Sequence, residues 1–332
     1  MQYFMKNLFI GMSNNKTLQT MAQKWGYRIV ADQFIAGTNL EDALETVRTL
    51  NAKGFSCTVD HLGEFVTEKE VSIQAKEKII QFMHCINEEQ LDCHISLKLT
   101  QLGLDISEEF CLHLMKEILD VASKYQIFIN IDTEDYAHYH ATFRILNELL
   151  LDYNYVGTVI QSYYYHAEAL MEQLKDVRLR IVKGAYKESA EVAYQQKDEI
   201  DAKFLHLSKK RLKEGTFTSF ATHDHYMIHA LLQYIEEENI DKNKIEFQML
   251  YGFREELQEK LKNEGYRFTV YLPYGEDWFG YFMRRLAERP RNMELIIKNQ
   301  LYENNKLKKK PILLTASTIG VLAFVWRSFK KK

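Results

Sequence analysis

Eight short apolar or β-branched runs recur along this chain, each separated from the next by a charged segment with helical periodicity. They are 55–60 (FSCTVD), 94–99 (HISLKL), 127–132 (IFINID), 156–161 (VGTVIQ), 178–185 (RLRIVKGA), 216–223 (TFTSFATH), 245–250 (IEFQML) and 267–273 (RFTVYLP). Segments such as EKEVSIQAKEKIIQFMHCI and SEEFCLHLMKEILDVASKY lie between them. Strands alternating with helices build parallel βαβ units, and eight units over roughly 250 residues make a TIM-type barrel. The expected class is therefore α/β, a (β/α)8 barrel over 51–303. An N-terminal helical segment, 1–50, precedes it, and a basic and apolar helical tail, 304–332, follows. With only 3 prolines (Pro273, Pro290, Pro311) and no Gly/Ser-rich stretch, no linker divides 332 residues into two domains.

Composition narrows the function classes. A 46% hydrophobic fraction with 13% aromatics supports a packed core and excludes wholesale disorder. The formal net charge of -3 hides basic residues crowded at the C-terminus, so the body is mildly acidic and argues against a nucleic-acid surface. Cys57, Cys85, Cys93 and Cys111 stand singly, without a CxxC pair, and read as reduced thiols of a cytoplasmic protein. The opening MQYFMKNLFIGMSNNKTL lacks the apolar core and cleavage site of a secretory leader, and reads as a helix packed on the domain.

In such barrels the chemistry sits at the C-terminal ends of the strands. Those ends carry Asp60, Lys98, Asp132, Gln161, Lys183, His223, Tyr251 and Tyr271, nearly all polar, ionisable or aromatic. Any (β/α)8 enzyme could show a similar set. The segment 271–290, YLPYGEDWFGYFMRRLAERP, is more specific. Gly275 follows the strand, Glu276 and Asp277 suit the positive end of a helix, and Pro290 closes it. Tyr281, Arg284, Arg285 and Glu288 share one helical face. Two guanidiniums can grip a small carboxylate through bidentate, charge-assisted bonds; a solvated Arg/Glu surface is the plainer reading of the same residues.

Several motifs in order resemble the proline dehydrogenase family over about residues 50–300: SLKLTQLG, NIDTED, VIQSY, RLRIVKGAY, FATH, EFQMLYG and Y-x-P-x-G followed by YFMRRLAER. The resemblance implies oxidation of L-proline to Δ1-pyrroline-5-carboxylate with hydride transfer to FAD. It implies that Lys98, Arg284 and Arg285 orient the proline carboxylate. Tyr281, Leu250 and Ala185 would pack on the ring, with Tyr271 and Tyr186 closing the pocket. Arg180 would reach the flavin N5 edge and Gln161 the pyrimidine end, while Thr133, Val182, Lys183, Gly184, Ala185, Thr222 and His223 would contact the rest of FAD. Asp132 is expected in the site, paired to the basic cluster, and with Arg180 nearest the chemistry. Lys187 departs from relatives that carry an aromatic residue after Tyr186.

This chemistry suits those residue types. The flavin carries the electron chemistry and the protein supplies orientation and electrostatics. No GxGxxG occurs, so a Rossmann-type site is unsupported. The pairs His225/His229 and His138/His140 lack the partners of a metal site and read as surface or packing residues, so no metal is expected. Lys98 and Lys183 leave open a Schiff-base aldolase-type barrel. A non-enzymatic proline-sensing or scaffold protein is the other class, and methylenetetrahydrofolate reductase a more distant flavin barrel. An aldehyde dehydrogenase half is not expected, so the product would pass to a separate pyrroline-5-carboxylate dehydrogenase.

The tail reads KLKKK, PILLTASTIGVLAFVWRSF, KKK. From Ile312 to Trp326 no charge interrupts it and apolar residues lie all round a helix; extended to Phe329, at about 1.5 Å per residue it approaches a hydrocarbon core of roughly 30 Å. Flanking lysines favour anionic headgroups. The expectation is attachment to the inner face of the cell membrane, where quinone would accept the electrons; a terminal helix packed on the barrel or a partner is the alternative.

Overall fold

In the computed structural model, which describes residues 34–281 and the short segments 302–303 and 306–307, all eight expected strands pair in chain order. Every pairing is parallel, and β8 returns to β1 to close the barrel. The strands are β1 (Ser56–His61), β2 (Cys93–Lys98), β3 (Ile129–Asp132), β4 (Val156–Gln161), β5 (Leu179–Val182), β6 (Thr218–Ala221), β7 (Ile245–Leu250) and β8 (Arg267–Tyr274). The helices are α1 (Leu40–Ala52), α2 (Lys69–Glu89), α3 (Glu108–Tyr125), α4 (Tyr136–Leu149), α5 (Ala167–Gln173), α6 (Lys197–Glu214), α7 (His225–Glu237) and α8 (Glu255–Asn263). The chain divides into two compact units, Gln33–Trp278, which holds the barrel, and Met1–Asp32 with Phe279–Lys332. In the second unit, Tyr302–Glu303 pairs antiparallel with Lys306–Leu307. The opening helix expected at the N-terminus, Arg284, Arg285, Glu288 and the apolar tail lie outside the described residues. Among the described residues, no helix is long and apolar enough to cross a membrane.

Local chemistry explains the helices. In α3, Ser107 caps the N-terminus by accepting from Phe110 N, Glu108 and Glu109 occupy the first turn and Lys124 the last. Its residues Cys111, Leu114, Met115, Ile118, Leu119 and Ala122 recur at helical spacing and are all buried. Asp135 and Asp224 cap α4 and α7 in the same manner, straight after strand ends. The four cysteines are free thiols, and Cys57, Cys93 and Cys111 are buried.

The barrel interior departs from the usual filling of Val, Ile and Leu. Arg180 on β5 reaches Ser96 on β2, and Tyr271 on β8 reaches Asp132 on β3. Bonds between strands that are not neighbours run through the inside of the barrel. Arg178, Ser219, Gln248 and Thr269 likewise converge on Glu246, and Thr58 bonds Ser96. Alternate residues, among them Val59, Leu97, Ile131, Ile181, Phe220, Phe247 and Val270, belong to the hydrophobic core. The period of two thus sorts polar side chains inward and apolar ones toward the helices.

Glu246, fully buried, anchors the lower layer. Arg178 lies 2.9 Å from it, Thr269 2.8 Å and Gln248 2.6 Å, with Ser219 also bonded. Burial opposes its charge, yet Arg178 and the surrounding donors hold the carboxyl at about 2. A group depressed in the folded state stabilises above its unfolded value near 4.5 and loses that contribution as pH falls toward 2. Glu246→Gln should therefore cost roughly 3–5 kcal/mol at neutral pH, because Arg178 stays buried without its counter-charge. Denaturant midpoints at pH 7 should show that loss, and the variant's stability should vary less than the wild type's between about pH 5 and 2.

Candidate active site

Above the Glu246 layer, the C-terminal ends of β1, β2, β3, β5 and β8 bring their inward side chains into one ionic cluster. Asp132 is its centre. Its Oδ1 accepts from Arg180 at 2.5 Å and from Asn130 at 2.7 Å, and its Oδ2 lies 2.8 Å from the Tyr271 hydroxyl. Tyr271 also lies 2.7 Å from Asp60 Oδ2, which Lys98 contacts at 2.7 Å. Glu64 lies 3.5 Å and Asp132 3.9 Å from the same ammonium. The Arg180 guanidinium sits 5.3 Å from the centre of the Tyr271 ring, within cation–π range.

The electrostatics follow from burial and neighbours. Burial disfavours the charge on Lys98, but Asp60, Glu64 and Asp132 outweigh it and hold the amine well above its ordinary value. Burial and then the carboxylates of Asp132 and Asp60 push the Tyr271 phenol far up, so it remains a donor. A lysine so firmly charged does not suit Schiff-base chemistry, which needs the neutral amine.

The other expected residues of the barrel unit end or follow strands β3 to β7. Gln161 ends β4 and donates from Nε2 to the Glu134 carbonyl at 2.7 Å. Gly184, at φ +117, passes over Tyr163 so closely that a Cβ would come within 2.4 Å of the ring. Val182, Tyr186 and Leu250 are half-buried, Ala185 is exposed, and Thr222 is buried and accepts from Asp224 N. Thr133 reaches the Val159 carbonyl at 3.5 Å, and His223 Nε2 accepts from Leu250 N at 3.1 Å. Lys183, expected on the cofactor, is ion-paired with Asp201 of α6 and with Asp224. Tyr271 stands within β8, not at its end, because the strand continues to Tyr274. A helix opens at Trp278, and Tyr281 on it belongs to the second compact unit.

Sequence reasoning left out Glu64, Ser96, Tyr163, Glu134, Asp201 and Asp224, and took Asp60 only as a strand end. The polar alternation S-x-T-x-D, H-x-S-x-K and N-x-D in the first three strands was an available signal for a polar interior. Nothing local marks the carboxylates that capture Lys183.

The arrangement defines an enzyme of the (β/α)8 class, with its reactive groups on the C-terminal face. A family model described as proline dehydrogenase matches residues 43–296. Proline dehydrogenase 1 of Bacillus subtilis subsp. natto is 44% identical over 299 residues, covering 90% of this chain and 99% of that protein. Proline dehydrogenase of Deinococcus radiodurans is 36% identical over 82% of this chain and 90% of its own length. Among solved structures, proline utilization A (PutA) from Bdellovibrio bacteriovorus inactivated by N-propargylglycine aligns with a TM-score of 0.72 at 23% identity. That alignment covers 95% of this chain and 39% of the other, and carries the fold alone. The chain belongs to the proline dehydrogenase family, whose members are flavin-dependent.

Glu134 gives the site a second pH signature. Burial, reinforced by Glu64, raises its carboxyl to about 7 against the pull of Thr100 and Lys98. Its native state resists ionisation, so its contribution is most favourable below about pH 4.5 and is lost as pH rises toward 7. Wild-type protein should lose on the order of 2 kcal/mol through that window, and Glu134→Gln should not; melting curves between pH 4.5 and 8 compare them.

Proposed function

We propose that this protein oxidises L-proline to Δ1-pyrroline-5-carboxylate with FAD as hydride acceptor, and passes the electrons to a membrane quinone. The observation that carries this reading is the 44% identity to a proline dehydrogenase over nearly that enzyme's whole length, with Lys98, Asp132, Arg180 and Tyr271 gathered on the barrel's C-terminal face.

The residues present fit a flavin. Arg180 Nε is buried without a hydrogen-bond partner among the described residues, a cationic donor awaiting an acceptor. The close pass of Gly184 over the Tyr163 ring leaves no room for a side chain and fixes the backbone just after β5, among the residues expected on the cofactor. Arg180, Gln161, Thr133, Val182, Gly184, Ala185, Thr222 and His223 would hold FAD, with Lys183 acting from its acidic pair. When bound, FAD would supply the acceptor for one hydride, that is two electrons and a proton.

The chain's own groups do the rest. Lys98, Arg180, Asp60, Glu64 and Asp132 amount to two cations against three carboxylates. An anionic substrate therefore needs further positive charge, the role the family resemblance gives to Arg284 and Arg285. Lys98 and that pair orient the carboxylate, while Leu250, Ala185, Tyr186 and Tyr271 confine the ring. The amine must be neutral, because its lone pair forms the C=N bond as hydride leaves the adjacent carbon. Fixing that carbon relative to its acceptor lowers the barrier by positioning. The product passes to a separate pyrroline-5-carboxylate dehydrogenase.

Purified protein should be yellow and bleach with L-proline under anaerobic conditions; a flavin unmoved by proline would exclude the activity. Arg285→Met should raise KM for proline about ten-fold or more with flavin content intact, since a charge-assisted bond is worth roughly 1.5–3 kcal/mol. An unchanged KM would show that this face binds something else.

The tail would attach the enzyme to the inner face of the cell membrane, close to quinone. Full-length protein should sediment with membranes, while a chain ending at Asn305 should be soluble and still reduce a dye with proline. Two soluble forms, at low and high salt alike, would exclude the anchor.

A further inference from the structure

The loop between β1 and α2 is tied down at one residue on the far side of β2. Phe65 N donates to Thr100 Oγ1 at 3.1 Å, and Val66 N donates to the Thr100 carbonyl at 3.1 Å. The Thr100 hydroxyl in turn donates to Glu134 Oε1 at 2.6 Å, and its amide to Glu134 Oε2 at 3.2 Å. A hydroxyl has one proton and two lone pairs. Because Glu134 takes the proton, a lone pair is left facing the Phe65 amide. Thr100 is fully buried and Glu134 is 2% exposed, so neither bond competes with bulk water.

The loop needs this hold. Phe65 has φ +59, a left-handed conformation that costs a non-glycine residue energy and persists only where its surroundings over-determine it. Its side chain is 46% exposed, so packing contributes little to fixing it. One residue earlier, Glu64 faces the Lys98 ammonium at 3.5 Å. The Glu134 carbonyl also accepts from Gln161 Nε2 at 2.7 Å, so one residue touches both halves of the site.

We infer that Glu134 is a positioning residue which, acting through the Thr100 hydroxyl, holds residues 64–66 in place so that Glu64 stands over Lys98 before the substrate arrives. The inference rests on the proline dehydrogenase reading for its substrate. A loop ordered in advance spares the substrate the entropy of ordering it, so the hold acts on affinity. Hydride transfer itself uses none of these groups.

Thr100→Val keeps the shape and removes the hydroxyl, and Thr100→Ser restores it. Hydrogen exchange at the Phe65 and Val66 amides reads the hold directly, with or without activity. In Thr100→Val, exchange at Phe65 should quicken about ten-fold, with the β-strand amides unchanged. KM for proline should rise about five-fold, kcat should stay within about two-fold, and flavin content should be unaltered. Thr100→Ser should lie near wild type in every measure. If Thr100→Val does not fold, Glu134→Gln carries the exchange test above about pH 8, where the native carboxyl is ionised and holds the hydroxyl proton more strongly than a neutral amide does. Unchanged Phe65 exchange in these variants, or a fall in kcat at constant KM, overturns the inference. If wild-type protein fails to bleach with proline, the assigned activity falls, and the exchange data still decide whether Glu134 holds the loop.

Discussion

The carboxylate of Asp132 is the contact on which the upper barrel depends. It binds Arg180, Asn130 and Tyr271 together, tying β3 to β5 and β8 across the interior. A carboxylate taken out of water is tolerated only when charge and hydrogen bonds replace its solvation. Arg180 brings the charge, and is itself oriented by Ser96, which bonds Thr58. The aim of the Arg180 guanidinium is thus set by strands β1, β2 and β3 as well as its own.

The same requirement repeats one layer down, where Glu246 neutralises Arg178 and collects Ser219, Thr269 and Gln248. A barrel lined largely with polar and ionised groups gains little stability from an apolar filling. Its cohesion comes from the apolar shell between strands and helices, where Phe220, Phe247, Phe268 and Leu97 are fully or almost fully buried. The division suits an enzyme: the shell supplies stability, and the polar interior holds cations and carboxylates in fixed positions at little reorganisation cost.

All eight strands were legible because β-branched runs, polar caps and helical stripes agree locally. Boundaries were less so. The run 178–185 was expected as one strand, but β5 ends at Val182, before Gly184 turns at positive φ to pass over Tyr163. Strand β8 runs on to Tyr274 because its pairing with β1 continues as far as His61, whose register partner is Tyr274. Of the ionic cluster, Lys98, Asp132 and Tyr271 were legible as strand-end residues, and Arg180 only through the family resemblance. The Thr100–Glu134 hold on the β1 loop was not, because its partners lie 34 residues apart and meet only when β2 and β3 pair.

The sequence by itself determined the eight-fold alternation, the identity of the charged residues at the strand ends and the motifs of the proline dehydrogenase family. These are local properties, written in hydrophobic period and residue order. Only the tertiary structure decided which charges neutralise which. Lys98 went to Asp60, Arg180 to Asp132, and Lys183 to Asp201 and Asp224. The physical reason is barrel closure, which brings side chains from distant strands within a few ångströms in a space where no buried charge can remain unpaired.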